Sequence, residues 1–204
     1  MLNDFFKKLF GNKKNKGPSG KNPIERSKYM PEITLPVDEK FTINFKKNGG
    51  KFIYCDSLEE LSESFENILL ENSWKKLNVY CTDEKLRSRF KSFKLDYSKH
   101  PRKAAFFLTG CENLVADMGA ILISSNQIGE LKLPDFPDNF VVLATTSQLI
   151  ETIGEGLQRI KNESGNKIPT NITTIKHFNI KDEKDFLSYG SSAKNLYLLL
   201  LEDL

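Results

Sequence analysis

The stretch 108-LTGCENLVADMGAILISS-125 decides how this chain is read. A small polar turn, Thr109-Gly110-Cys111-Glu112-Asn113, precedes a short apolar segment that breaks at Asp117-Met118-Gly119 before the run Ala120 to Ile123. A buried strand needs neither an acidic residue nor a glycine in its middle, so the stretch is either a ligand site or a pair of turns. In open parallel sheets, ligands gather beyond the carboxyl ends of strands. Thr109-Gly110 follows the apolar run Ala104 to Leu108 and falls at such an end. A short helix over Glu112 to Ala116 would turn its free N–H groups into the same crevice and could hold an anion. Asp117 and Gly119 would then mark the re-entry into the sheet, where glycine permits a positive φ or the close approach of a ligand or backbone. In the plainer alternative, Glu112 compensates helix-end N–H groups, Asp117 caps a turn and Gly119 only lets the chain bend.

Upstream, Gly49-Gly50 makes a turn into a strand, Lys51 to Cys55, and Asp56 or Ser57 can cap the helix that follows. Leu58, Leu61, Phe65, Ile68 and Leu69 give that helix one apolar stripe. Leu77 to Cys81 is strand-like, with Thr82 capping a helix through Leu86 and Phe90. Downstream, Ala120 to Ser124 and Phe140 to Ala144 read as strands, and Thr146 or Ser147 starts a helix carrying Leu149, Ile150, Ile153, Leu157 and Ile160. Asn171 to Ile175 and Asn195 to Leu201 supply the last strands. Continuous apolar strands alternating with amphipathic helices predict an α/β fold, a mostly parallel sheet flanked by helices on both faces.

A chain of 204 residues has room for one domain of about 150 to 170 residues with a real core. Hydrophobic content of 39% and charged content of 28% describe a soluble globular protein. No apolar run approaches the roughly 20 residues that cross a bilayer, and Met1 to Phe10 lacks the apolar core of a secretory signal, so a cytoplasmic protein is expected. The formal charge of +3 is unevenly spread: residues 1 to 28 carry seven lysines and Arg26 against Asp4 and Glu25, which leaves the rest of the chain at −3. The basic character belongs to the tail, and the body is not expected to bind nucleic acid. Leu2, Phe5, Phe6, Leu9 and Phe10 form a short amphipathic start, and residues 12 to 28 read as a flexible linker. So short a helix needs a surface, which its own domain, a partner protein or, weakly, a membrane headgroup region would provide. The basic segment is accordingly set at 1–35 and a single α/β domain at 36–204, its fold starting between Tyr29 and Phe41.

Cys55, Cys81 and Cys111 are too far apart for a disulfide framework or a close metal pair and read as buried thiols. With only His100 and His177 available, an all-protein metal site is not expected. There is no phosphate-binding loop of the G-x-x-x-x-G-K-[ST] type, no H-E-x-x-H pair, and 110-GCENLVADMG-119 lacks the glycine spacing of a dinucleotide fingerprint. Cys111 at a helix start would have a lowered pKa, against the alternative of a buried structural thiol. His100, before Pro101, reads as a loop residue; His177, past a strand end, is the better candidate for a general base or a ligand hydrogen bond.

With these residues in place, the pattern resembles a known family. Asn48-Gly49-Gly50-Lys51-Phe52-Ile53-Tyr54 and the helix start Ser57-Leu58-Glu59-Glu60-Leu61 resemble the opening of the lactate-utilization (LUD) domain. The segment 109-TGCENLVADMGAILISSNQ-127 is similar to that family's most recognisable stretch, in which a Thr-Gly-Ala/Cys turn, a short helix, an acidic residue and a Thr-Gly-Thr-like bend precede a strand. Val141-Val142-Leu143-Ala144 with the following Gln148-Leu149-Ile150, and Gly190 with 194-KNLYLLLLED-203, extend the likeness to roughly Phe41 to Leu204. The resemblance implies a fold related to the sugar-phosphate isomerase and coenzyme-A transferase group. Its nearest named relatives are the C-type subunits of bacterial L-lactate utilization systems, which work with iron-sulfur partners that convert lactate to pyruvate. This chain has no iron-sulfur cysteine run, so the resemblance implies an accessory subunit without a cofactor of its own. The sequence departs from the family at Met118-Gly119-Ala120, where both hydroxyls of Thr-Gly-Thr are missing, at 178-FNIKDEKDF-186, and at 190-GSSAKN-195 in place of a His-Gly-Pro loop.

Three readings follow. An accessory protein of lactate or related organic-acid utilization would bind a small anionic metabolite in a crevice drawn from Thr109, Gly110, Glu112, Asp117, Gly119, His177, Gly190, Ser191 and Lys194, with Ser192 beside them. A non-catalytic scaffold would have kept the fold, lost the ligand site and acted through protein contacts. An isomerase or transferase would need a base or nucleophile, for which Glu112, Asp117 and His177 are the candidates.

Overall fold

The computed structural model describes residues 35–165, 167–178 and 194–203. At its centre is a six-stranded sheet of β1 (Lys51–Cys55), β2 (Asn78–Tyr80), β3 (Asp96–Tyr97), β4 (Phe106–Thr109), β7 (Asn139–Thr145) and β10 (Asn195–Leu201). Their order across the sheet is β1-β10-β7-β4-β2-β3, and every pairing is parallel. Successive side chains in a strand point to opposite faces. In β10, Leu196, Leu198 and Leu200 join one core while Tyr197 and Leu199 join the other; in β7, Phe140, Val142 and Ala144 divide from Val141 in the same way. Both faces are therefore apolar, which is why these strands read as unbroken hydrophobic runs.

One face is covered by α2 (Leu58–Glu71) and α3 (Glu84–Arg89). Leu61, Phe65, Ile68 and Leu69 are the buried side of α2, and Ser57 caps it by accepting from the Glu60 N–H. The cap of α3 is Asp83, which takes the N–H groups of Lys85 and Leu86, rather than Thr82. Phe65 packs against Phe90 of the loop beyond α3 at 4.1 Å between ring centroids, which brings that loop against α2.

The other face departs from the expectation of helices alone. It carries α1 (Val37–Lys47) and a second sheet of four strands, β5 (Asn113–Val115), β6 (Ala120–Ile123), β8 (Leu149–Ile150) and β9 (Thr173–Ile175), in the order β8-β5-β6-β9. Phe41 and Phe45 of α1 are fully buried with Leu114, Ile121, Ile123 and Ile175. The sequence reading placed no helix at 37–47. It also set Ala120 to Ser124 and Asn171 to Ile175 in the main sheet, whereas β6 and β9 pair with each other antiparallel outside it. Glu112 to Ala116 is no helix: Leu114 pairs with both Ile121 and Leu149, because five residues cannot nucleate a helix cheaply while two strand edges stand ready to bond them. The helix read from Thr146 or Ser147 begins instead as α5 at Ile153, with a capping box between Thr152 and Glu155. Leu149 and Ile150 fit its period by coincidence and belong to β8. A short α4 (Ser125–Ile128) follows β6, and four 3-10 turns, Lys91–Phe93, Pro101–Lys103, Leu133–Asp135 and Thr146–Gln148, lie in the connections.

Candidate functional site

The strands of the main sheet all run toward one edge, the carboxyl rim, where their ends are stepped: Cys55, Leu201 and Thr145 lie in register, Thr109 is level with Val142 and Tyr80 with Phe107. Thr109 is buried and its hydroxyl turns back to the Gly110 carbonyl at 3.1 Å. Gly110 is partly open, and a Cβ built there meets only the Leu143 carbonyl oxygen, at 3.8 Å. Neither φ nor space requires a glycine at this position. The N–H groups of Gly110 and Cys111 enter none of the described backbone hydrogen bonds outside helices and ladders. The Cys111 carbonyl, in contrast, accepts from Gln148 Nε2 at 2.7 Å.

Around this turn the polar side chains are mutually engaged. Glu112 Oε1 accepts from Ser124 Oγ at 2.5 Å and from Asn126 Nδ2 at 2.8 Å, so this carboxylate ties the turn to the cap of α4. On the neighbouring strand ends, Asp203 accepts from Thr146 Oγ1 at 2.8 Å, from the Ser147 N–H at 2.9 Å and from Ser147 Oγ at 2.7 Å. Partial burial works to raise the Asp203 pKa, but the Ser147 and Thr146 donors outweigh it and hold the carboxyl at about 2. Arg159 of α5 donates to the Ser147 carbonyl at 2.7 Å and closes this side of the rim. Read alone, the sequence passes over Asp203 and offers Thr146 and Ser147 only as a helix start. The available signal was the Glu202-Asp203 pair directly after the last apolar strand.

The remaining candidates lie elsewhere. Asp117 and Gly119 sit in the β5–β6 turn, under α1: Asn44 Nδ2 donates to the Ala116 carbonyl at 2.8 Å, and Asn48 Nδ2 to the Met118 carbonyl at 2.8 Å. Gly119 has φ +57°, and a Cβ there would stand 2.3 Å from the Asn44 carbonyl carbon. Both its conformation and its contact with the helix backbone require glycine. The Asp117 side chain is exposed. Lys194 lies at the opposite, amino end of the sheet, one residue before β10; it is 2% exposed, with Nζ donating to the Phe136 and Pro137 carbonyls at 3.2 and 3.1 Å. His177 is exposed, and its carbonyl accepts from the Lys194 N–H. Gly190, Ser191 and Ser192 lie outside the described residues, as do residues 1–34 with the amphipathic start. Thr109, Gly110 and Glu112 are thus brought together, while Asp117 with Gly119, and His177 with Lys194, form two separate places.

Cys111 has no helix end beside it. Burial, with the Glu112 charge adding to it, pushes its thiol far above the ordinary range. Cys55 is likewise buried and pushed up to about 11, chiefly by desolvation. Both behave as structural thiols. Among the described residues no group of three His, Cys, Asp or Glu side chains is placed to hold a metal, and no helix is long and apolar enough to cross a membrane.

Residues 39–201 match the family model described as the LUD domain. Among solved structures, a DUF162 family protein from Deinococcus radiodurans has the same fold, with a TM-score of 0.56 at 14% identity over 82% of this chain and 96% of that one. No curated protein matches the chain.

Proposed function

The chain belongs to the LUD-domain family, and from that premise we propose that it is an accessory protein of lactate or related organic-acid utilization that holds a small carboxylate metabolite at the Thr109-Gly110-Cys111 turn. The observation that carries the ligand reading is the place of the Gly110-Cys111 turn, directly beyond the carboxyl end of β4 in a parallel sheet and at a glycine that packing does not demand. Such a turn suits a carboxylate, because backbone N–H groups can recognise an anion without a charged side chain. In this role Glu112 positions the turn through Ser124 and Asn126, and no catalytic residue is assigned. The electron transfer of lactate oxidation would rest with iron-sulfur partner subunits.

A ligand-observed NMR screen of the full chain against lactate, pyruvate, glycolate and inorganic phosphate tests this, repeated on Gly110→Val, whose branched side chain would cover the turn. Binding of a hydroxy or keto acid by the native chain, lost in the folded variant, is expected. Silence toward every acid overturns the ligand reading and leaves the second one, a scaffold acting through protein contacts. That reading is favoured by the engagement of Glu112, Asp203 and Lys194 in internal hydrogen bonds.

A further inference from the structure

Two stretches of chain pair with each other twice. Thr109 of β4 is paired with Val142 of β7 where the first parallel ladder ends, and Leu114 of β5 with Leu149 of β8 where the second begins. Between the two ladders, residues 110 to 113 and 143 to 148 are joined by no strand pairing. A half-buried side chain crosses that interval instead. Gln148 Nε2 donates to the Cys111 carbonyl at 2.7 Å and to the Glu112 carbonyl at 3.2 Å, while Gln148 Oε1 accepts from the Thr145 N–H at 2.8 Å. These partners can only accept or only donate, so they fix which end of the amide faces which stretch. A side-chain amide has the donor and the acceptor of a peptide group, and Gln148 takes the place of a ladder rung where the stretches part. Its own base is held from the other side. Gln148 closes the 3-10 turn Thr146–Gln148, in which the Thr146 hydroxyl and the N–H and hydroxyl of Ser147 donate to Asp203, and the Ser147 carbonyl accepts from Arg159.

We infer that Gln148 is a positioning residue for the ligand turn, fixing the backbone of Gly110 to Glu112 in the conformation that meets a carboxylate. This rests on the ligand reading given above. Gly110 has no side chain to restrict its own backbone, so the restraint has to come from its neighbours. The peptide between Cys111 and Glu112 supplies it, with its carbonyl tied to Gln148 and its N–H donating to the Leu122 carbonyl at 2.8 Å. Bonded at both ends, that peptide cannot rotate freely, and the turn keeps one arrangement. Order imposed by folding is order that binding need not impose.

The test combines ¹⁵N relaxation with titrations of lactate, pyruvate and glycolate on the full 204-residue chain, native and with Gln148→Leu or Gln148→Glu. The first variant removes every bond of the amide at similar size. The second keeps the acceptor for the Thr145 N–H and sets a carboxylate against the two carbonyls, so it retains the 3-10 turn. Circular dichroism melts establish that the variants fold and how far each is destabilised. Backbone order parameters at Cys111 and Glu112 are expected to fall from about 0.85 to below about 0.6 in both variants. The dissociation constant of the bound acid should rise at least about tenfold. Asn48→Ala, which loosens the β5–β6 turn instead, should leave the order of the rim turn and the affinity as in the native chain. A merely structural glutamine would lower the melting temperature and leave affinity untouched, and that result overturns the inference. Unchanged order at Cys111 and Glu112 in Gln148→Leu overturns it as well. If the native chain binds none of the acids, the ligand reading falls and this role falls with it; if the native chain and both variants bind equally, this role alone falls.

Discussion

The two turns that flank β5 use similar residues to different ends. Each has a glycine and a carboxylate within four positions, Gly110 with Glu112 and Asp117 with Gly119. At the second, the α1 backbone presses on the glycine and two asparagine side chains hold four of the surrounding carbonyls, so the turn is an anchor for the helix that closes one face of the core. At the first, the glycine has ordinary space around it and the carboxylate points away to cap another element. Identical chemistry in sequence therefore becomes packing in one place and an open backbone in the other. What separates them is whether another element lies across the turn.

That contrast is breakable. Gly119→Ala should do the most damage, because it adds left-handed strain to a clash with helix backbone; a loss of about 3 kcal/mol or more in urea unfolding is expected. Lys194→Met should cost about 2 kcal/mol in the same experiment, by leaving the Phe136 and Pro137 carbonyls unpaired in a buried place. Its mirror expectation is that acid binding at the rim is unchanged, since Lys194 lies at the far end of the sheet. Asn48→Ala removes the donor to Met118 and Gly119 and should cost about 1 kcal/mol. Gly110→Ala sharpens the comparison from the other side, with stability expected within about 0.5 kcal/mol of the native chain, the range of a substitution that meets no packing constraint.

Asp203 gives a pH-dependent check on the rim. Its folded pKa, about 2, is below the unfolded value of about 3.9, so its contribution to stability is present above the unfolded value and lost as pH falls toward the folded one. Thermal melts of the native chain and Asp203→Asn should therefore differ most near neutrality and converge between pH about 4 and about 2. A difference that persists unchanged at the acid end would mean that the Thr146 and Ser147 donors do not recognise its charge.

Much of this molecule was legible in the chain. The central strands β4, β7 and β10 announce themselves because burial on both faces demands unbroken apolar runs, and α2 because its stripe keeps one period from Leu61 to Leu69; the edge strand β3, two residues long with Asp96 exposed, carries no such run and is not legible as a strand. The misread elements are those whose local signal is short or shared. Asn113 to Val115 has too few residues to show any period; Leu149 and Ile150 happen to continue the period of α5; and α1, with Phe41 and Phe45 among lysines and asparagines, has an apolar face too narrow to stand out. The site was legible only as far as Thr109 and Gly110, because a turn after an apolar strand is a local event. Asp203 reaches Ser147 only through the adjacency of β7 and β10, more than fifty positions apart in sequence.

By itself, then, the sequence determined the α/β class, the family resemblance now matched over residues 39–201, and the position of the rim turn, since each is written in local patterns of apolar and turn residues. Only the tertiary structure decided that a second sheet shares one face with α1, that Lys194 is a buried structural lysine at the far end, and that Gly119 serves packing while Gly110 stays open. Those outcomes depend on which distant segment covers each residue, and contact across the fold, unlike periodicity, leaves no local mark on the chain.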